Sequence, residues 1–122
     1  MPYIKLSVTQ KLSQDKQEEL VNAIGEALSL IPGKQASFLI TDMEDGKTMY
    51  LGGEKQEDMV FADVRYYGNY EFQVKSDFTV AFFDAVNKVL GTRKDRMWLT
   101  ITEFNSWGGF GDFVEDNALS QS

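Results

Sequence analysis

The chain has no cysteine and no histidine among its 122 residues, and only two prolines. Without cysteine there is no disulfide, no thiol nucleophile and no zinc–thiolate site. Without histidine, the commonest general base and the commonest metal ligand are both missing. Acid–base chemistry is left to carboxylates, lysine, tyrosine, backbone groups or an amino terminus. Positive charge is also short. Lys and Arg number 12 against 19 Asp and Glu, for a net charge of −7. That balance argues against nucleic acid or an anionic membrane as the main partner. Long apolar runs are absent too, since no stretch approaches the ~20 residues of a membrane span. Gln10 and Lys11 interrupt any signal-peptide core. The expected compartment is cytoplasmic, with non-classical secretion left open.

What remains is an ordinary globular composition, 43% hydrophobic and 25% charged. The length fits a single domain over residues 1–122. PYIKLSV alternates apolar and polar positions as a strand does. Ser13 is an N-cap candidate, and Leu20, Ile24, Ala27, Leu28 and Ile31 fall on one helix face before Pro32 and Gly33. ASFLITDME reads as a second strand, TMYLGG as a hairpin arm and EKQED as a solvated loop. MVFADVRYYG is the next strand. Phe78, Phe82, Ala85, Val86, Val89 and Leu90 form the stripe of a second helix from about Glu71, which Gly91 ends. DRMWLTITEF is a last long strand. NSWGGFGDFV is rich in glycine and aromatics, and a polar tail covers 115–122. The Gly52-Gly53 and Gly108-Gly109 pairs read as tight turns.

The order is strand, helix, strand, repeated, over halves of about 2–43 and 60–104. This is an α/β chain in a two-layer α+β arrangement. Two βαβ units would form a four-stranded mixed sheet with both helices on one face. The other face needs a cover, and neighbouring subunits are the natural source.

Five features then stand in a telling order: MP before the first strand, GK after the first helix, MxxGG, a strand ending in YG, and DRMWLTITEFN. Together they resemble the tautomerase superfamily, in the branch of macrophage migration inhibitory factor and the phenylpyruvate tautomerases. The resemblance spans about residues 2–114. It implies a trimer with sites between subunits, no cofactor, no metal, and a small 2-keto acid as substrate. It implies that Pro2 is the catalytic base and that Lys34 binds the substrate carboxylate. It further implies that Tyr67 contacts the ligand through its backbone, and that Trp98 and Thr100 arrive from the adjacent subunit. Better-known members carry Tyr and Asn where this chain has Trp98 and Thr100. The vertebrate cytokine's CxxC motif is absent, which removes any thiol–disulfide activity.

The chemistry accords with the composition. Keto–enol tautomerisation needs one group that is neutral at working pH yet basic. A desolvated amine meets that need, because burial disfavours its ammonium form. Lys34 nearby would lower the amine's pKa further. The role requires loss of Met1, since the Pro2 nitrogen is otherwise an amide. Plainer alternatives stand beside each role. Proline suits the first residue of an edge strand because it has no N–H to donate. A lysine after a helix compensates the helix dipole. Tyr67 and Trp98 could be core or subunit contacts. Asp63 and Arg65 fit a solvated or intersubunit ion pair. A trimeric binding or signalling protein with little catalysis is the alternative for the whole chain.

Overall fold

The computed structural model describes residues 2–116. Met1 and the end of the polar tail, 117–122, lie outside the described residues.

Strand β1, Pro2–Val8, buries every second residue: Ile4, Leu6 and Val8 are fully enclosed. Helix α1, Gln14–Leu28, starts where the Ser13 hydroxyl accepts the Lys16 N–H at 3.2 Å. It ends at Leu28, ahead of the Pro32-Gly33 stop expected from sequence, and successive turns at Ser29, Leu30 and Ile31 carry the chain on. A short 3₁₀ turn, Ala36–Phe38, then precedes strand β2, Ile40–Glu44. The expected strand thus begins four residues late. Gly25 of α1 explains how closely that turn packs, because a Cβ there would sit 3.0 Å from the Ala36 Cβ.

Strands β3, Met49–Leu51, and β4, Glu54–Gln56, form a hairpin turned by Gly52 and Gly53 at φ of +61° and +82°. The segment read as a loop from EKQED therefore supplies half of a hairpin. Strand β5, Val60–Tyr67, alternates as β1 does. Helix α2, Phe72–Leu90, closes at Gly91 with φ +75°. A second 3₁₀ turn, Lys94–Arg96, leads into β6, Met97–Phe104. Strands β7, Ser106–Gly109, and β8, Asp112–Glu115, make a second hairpin. Gly108 and Gly109 lie within β7, and the turn falls at Phe110 and Gly111 instead. Glu115, assigned to the tail, belongs to β8.

The main sheet has the order β2-β1-β5-β6. β1 is parallel to β2 and antiparallel to β5, and β5 is parallel to β6. Each outer pair is joined through a helix, as parallel neighbours require. The inward residues of β1 and β5 meet Leu20, Ile24 and Leu28 of α1 and Phe78, Phe82 and Val86 of α2 in one core. The repeat is deeper than two βαβ units. Each half runs strand, helix, 3₁₀ turn, strand, hairpin. The sheet's other face is open, with Phe61 39% and Trp98 36% exposed among polar residues.

Candidate active site

Antiparallel register decides what surrounds the start of β1. Pro2 faces Tyr66, which in turn faces Glu103 on β6. The first residue of the chain's first strand thus lies beside the ends of β5 and β6. Pro2 is buried, and Tyr66 is fully buried. A cavity of about 610 Å³ opens at this end of the sheet. Pro2, Tyr3, Ile40 and Arg65 contribute to it from the strands. The 3₁₀ turn supplies Phe38, and the second hairpin supplies Trp107 and Phe110. Phe38 and Phe110 meet edge to face at 5.6 Å, and Phe104 and Trp107 do so at 5.8 Å. The rings of Tyr3, Phe38, Phe104, Trp107 and Phe110 therefore make up much of the wall, and Arg65 is the charged side chain on it.

Lys34 stands behind β5. Its Nζ donates to the Tyr67 carbonyl at 2.6 Å and lies 5.4 Å and 5.7 Å from the ring centres of Tyr66 and Tyr70. The lysine thus spends one donor on a backbone oxygen of β5 and does not cap a helix. Burial lowers its pKa from the ordinary lysine value. Two further bonds fix this platform. The Tyr70 hydroxyl donates to the Pro32 carbonyl at 2.8 Å, tying down the turn that carries Lys34. The Tyr66 hydroxyl donates to the Glu103 carboxylate at 3.0 Å.

Glu103 holds three partners: Tyr66, the Tyr70 N–H at 2.8 Å and Lys75 at 3.0 Å. Burial alone would raise its carboxyl, but these donors outweigh burial and hold it below the usual carboxylate range. Burial and then Glu103 push the Tyr66 phenol well up, so it stays a neutral donor.

Of the residues expected at the site, Pro2, Lys34 and Tyr67 come together at this one end. Trp98 and Thr100 do not join them within the chain. Trp98 faces Phe61 and stands five positions before Glu103 on β6. That is ~16 Å along the strand from the level of Pro2. Thr100 faces Asp63 on the open side, three positions before Glu103.

Sequence reading missed the aromatic wall and Arg65. The Asp63–Arg65 pair forms as expected, at 2.9 Å and 3.3 Å, but it also holds a guanidinium at the cavity. The register of β1 on β5, which makes Arg65 a neighbour of Tyr3, was the missing information. Among the described residues there is no carboxylate cluster that could hold a metal, and no helix is long and apolar enough to cross a membrane.

Solved structures share this architecture throughout. Leishmania major MIF2 superposes with a TM-score of 0.83 at 21% identity, over 93% of this chain and 97% of that one. The chain has the macrophage migration inhibitory factor fold. The same tautomerase-type fold is found in Pt0534, solved after inactivation by 2-oxo-3-pentynoate, with a TM-score of 0.80 at 14% identity over 89% and 93% of the chains. A fused 4-OT, described as a symmetric trimer, gives 0.80 at 14% identity over 93% and 94%. No protein-family model matches the sequence, and no curated protein does. Within the migration inhibitory factor fold, the Pro2 end of the sheet is where this chain gathers a strand-initial proline, a half-buried lysine and an aromatic cavity.

Proposed function

We propose that the protein is a cofactor-free keto–enol tautomerase acting on small 2-keto acids of the phenylpyruvate type. The observation that carries this reading is the siting of Pro2, buried at the head of β1 on an aromatic cavity and one strand from Lys34's platform. After removal of Met1, the Pro2 nitrogen is a secondary amine. In that enclosure its neutral form is favoured, and the Lys34 cation favours it further.

The step needs no other reagent. In the enol-to-ketone direction, the Pro2 nitrogen takes the proton of the enol hydroxyl. The C–O bond gains its second component while the C=C pair moves to carbon. Pro2 then returns the proton to that carbon. The reverse direction runs through the same positions. Lys34, with one N–H on the Tyr67 carbonyl, keeps two to hold the carboxylate next to the reacting carbonyl. The cavity's rings suit an aryl group.

Trp98 and Thr100 could reach such a substrate only from another copy of the chain. The proposal therefore includes a homotrimer, as the fused 4-OT is described, with these two residues of one subunit facing Pro2 of the next.

The test compares enol-to-ketone conversion of phenylpyruvate by processed protein, by Pro2→Gly and by protein with Met1 retained, each verified by intact mass. Processed protein is expected to exceed both others by at least ~100-fold. Equal rates in all three would refute a proline base and leave a binding role for the scaffold.

A further inference from the structure

Arg65 is the charged side chain on a cavity lined mainly by apolar and aromatic groups, half exposed at its mouth, and its surroundings present it there. The Tyr3 ring lies 5.7 Å from the guanidinium carbon. Asp63 accepts from its Nε at 3.3 Å and from one terminal nitrogen at 2.9 Å. The Tyr3 hydroxyl is itself fixed, donating to the Asp42 carboxylate at 2.6 Å. The guanidinium is therefore supported on one face and clamped on one edge. A guanidinium has five N–H donors, so three remain after Asp63. A fork with a free edge matches a carboxylate in two parallel hydrogen bonds.

The two cations at this end of the sheet occupy different sides of β5. Lys34 lies against Tyr66, whose side chain points to the helices, and Arg65 extends from the open face into the cavity. In the proposed reaction Lys34 takes the carboxylate next to the reacting carbonyl, and Arg65, on the other side of β5, is left for a different group. A phenylpyruvate bound through Lys34 would leave Arg65 facing its ring with unspent donors.

We infer that Arg65 is a specificity-determining residue that binds a second carboxylate, so that the preferred substrates are dicarboxylic aryl 2-keto acids. This rests on the tautomerase reading above and narrows its substrate class. Asp63 acts through Arg65 as a positioning residue, and Tyr3 supports the guanidinium from beneath.

The probes are phenylpyruvate and 4-carboxyphenylpyruvate for turnover, and cinnamate and 4-carboxycinnamate for binding without turnover. The readout is the ratio of the dicarboxylate value to the monocarboxylate value. Wild type is expected to favour the dicarboxylate by ~10-fold or more in kcat/KM and in affinity. Arg65→Gln is expected to reduce both ratios to near one. Arg65→Lys, a point charge without the fork, should keep an intermediate ratio. Asp63→Asn should lower the ratio through KM, with kcat following much less. Ratios in wild type below twofold, or ratios that Arg65→Gln leaves unchanged, would overturn the inference. If Arg65→Gln does not fold, Arg65→Lys and Asp63→Asn decide the matter by the same ratios. Failure of the tautomerase reading looks different: neither keto acid is turned over. The binding ratio for the two cinnamates then still supports or overturns the carboxylate site.

Discussion

Replacing Glu103 should unfasten the whole Pro2 end of the sheet, and the structure allows the cost to be worked out. In Glu103→Ala the fully buried Tyr66 hydroxyl loses its acceptor. An orphaned buried donor costs ~1–3 kcal/mol. The Tyr70 N–H loses its acceptor as well, for ~1 kcal/mol. Lys75, with its side chain 31% exposed, can turn to water, so its share is at most ~1 kcal/mol. The expected loss is ~2–5 kcal/mol, a large part of the ~5–15 kcal/mol that such a domain holds. Glu103→Gln keeps an acceptor oxygen but turns an amide nitrogen toward a donor, and should cost about half as much. The assay is urea denaturation at fixed protein concentration, because subunit association would otherwise shift the midpoint. The pH dependence gives a second, independent reading. The folded carboxyl lies below its ordinary value of 4.5. Its contribution is therefore complete above that ordinary value and disappears as pH falls through the folded pKa. The gap between wild type and Glu103→Gln should be full at pH 7 and should close in acid. An Ala variant that costs under ~1 kcal/mol, or a Gln gap as large at pH 3 as at pH 7, would refute this account.

Other outcomes follow from the same geometry. Phe82→Ala removes a fully enclosed ring between helix and sheet, and should cost ~3–5 kcal/mol in the same denaturation assay. Gly91→Ala meets open space but a φ of +75°, so its cost is backbone strain alone, ~1–2 kcal/mol; an isoenergetic variant would contradict this. Lys34→Met should lower kcat/KM for phenylpyruvate by ~10-fold or more, the loss of a charge-assisted contact, while folding survives. Burial depresses this lysine's folded pKa, so wild-type stability should rise as pH climbs through the window below 10.5, and the Met variant should lack that rise.

The sheet and its helices were legible because they follow period: alternation in PYIKLSV, the three- and four-residue spacing around Phe78 and Phe82, and Gly91 as a stop. The errors lie where period gives way to local turns. Phe38 looked like part of a strand, yet the tight approach of Gly25 to Ala36 curls that segment into a 3₁₀ turn and aims the ring at the cavity. Polar EKQ looked like loop because a two-stranded hairpin outside the main sheet buries little. Gly108 and Gly109 looked like a turn because glycine pairs often make one, but Phe110 takes the positive φ. At the site, the resemblance pointed to Pro2 and Lys34, and both lie at the same end of the sheet. Arg65 was visible as a partner of Asp63 and invisible as a wall of the cavity. Cross-strand register joins residues 2 and 66, and no local pattern encodes that pairing.

The two halves of the chain match down to their 3₁₀ turns and hairpins, and this has a consequence for how many bases one chain can carry. Val60 opens the second half as Pro2 opens the first, buried at 1% and paired at the far end of the same two strands. Met59 precedes it, so its nitrogen is an amide whatever side chain stands there. Repetition can copy a strand, a helix or a hairpin, but it cannot copy a terminus. If a terminal amine is the working group, a doubled fold of this kind carries one per polypeptide. The far end of the sheet then carries no base of its own, and Phe61 and Trp98 at that end are placed to serve contact between chains.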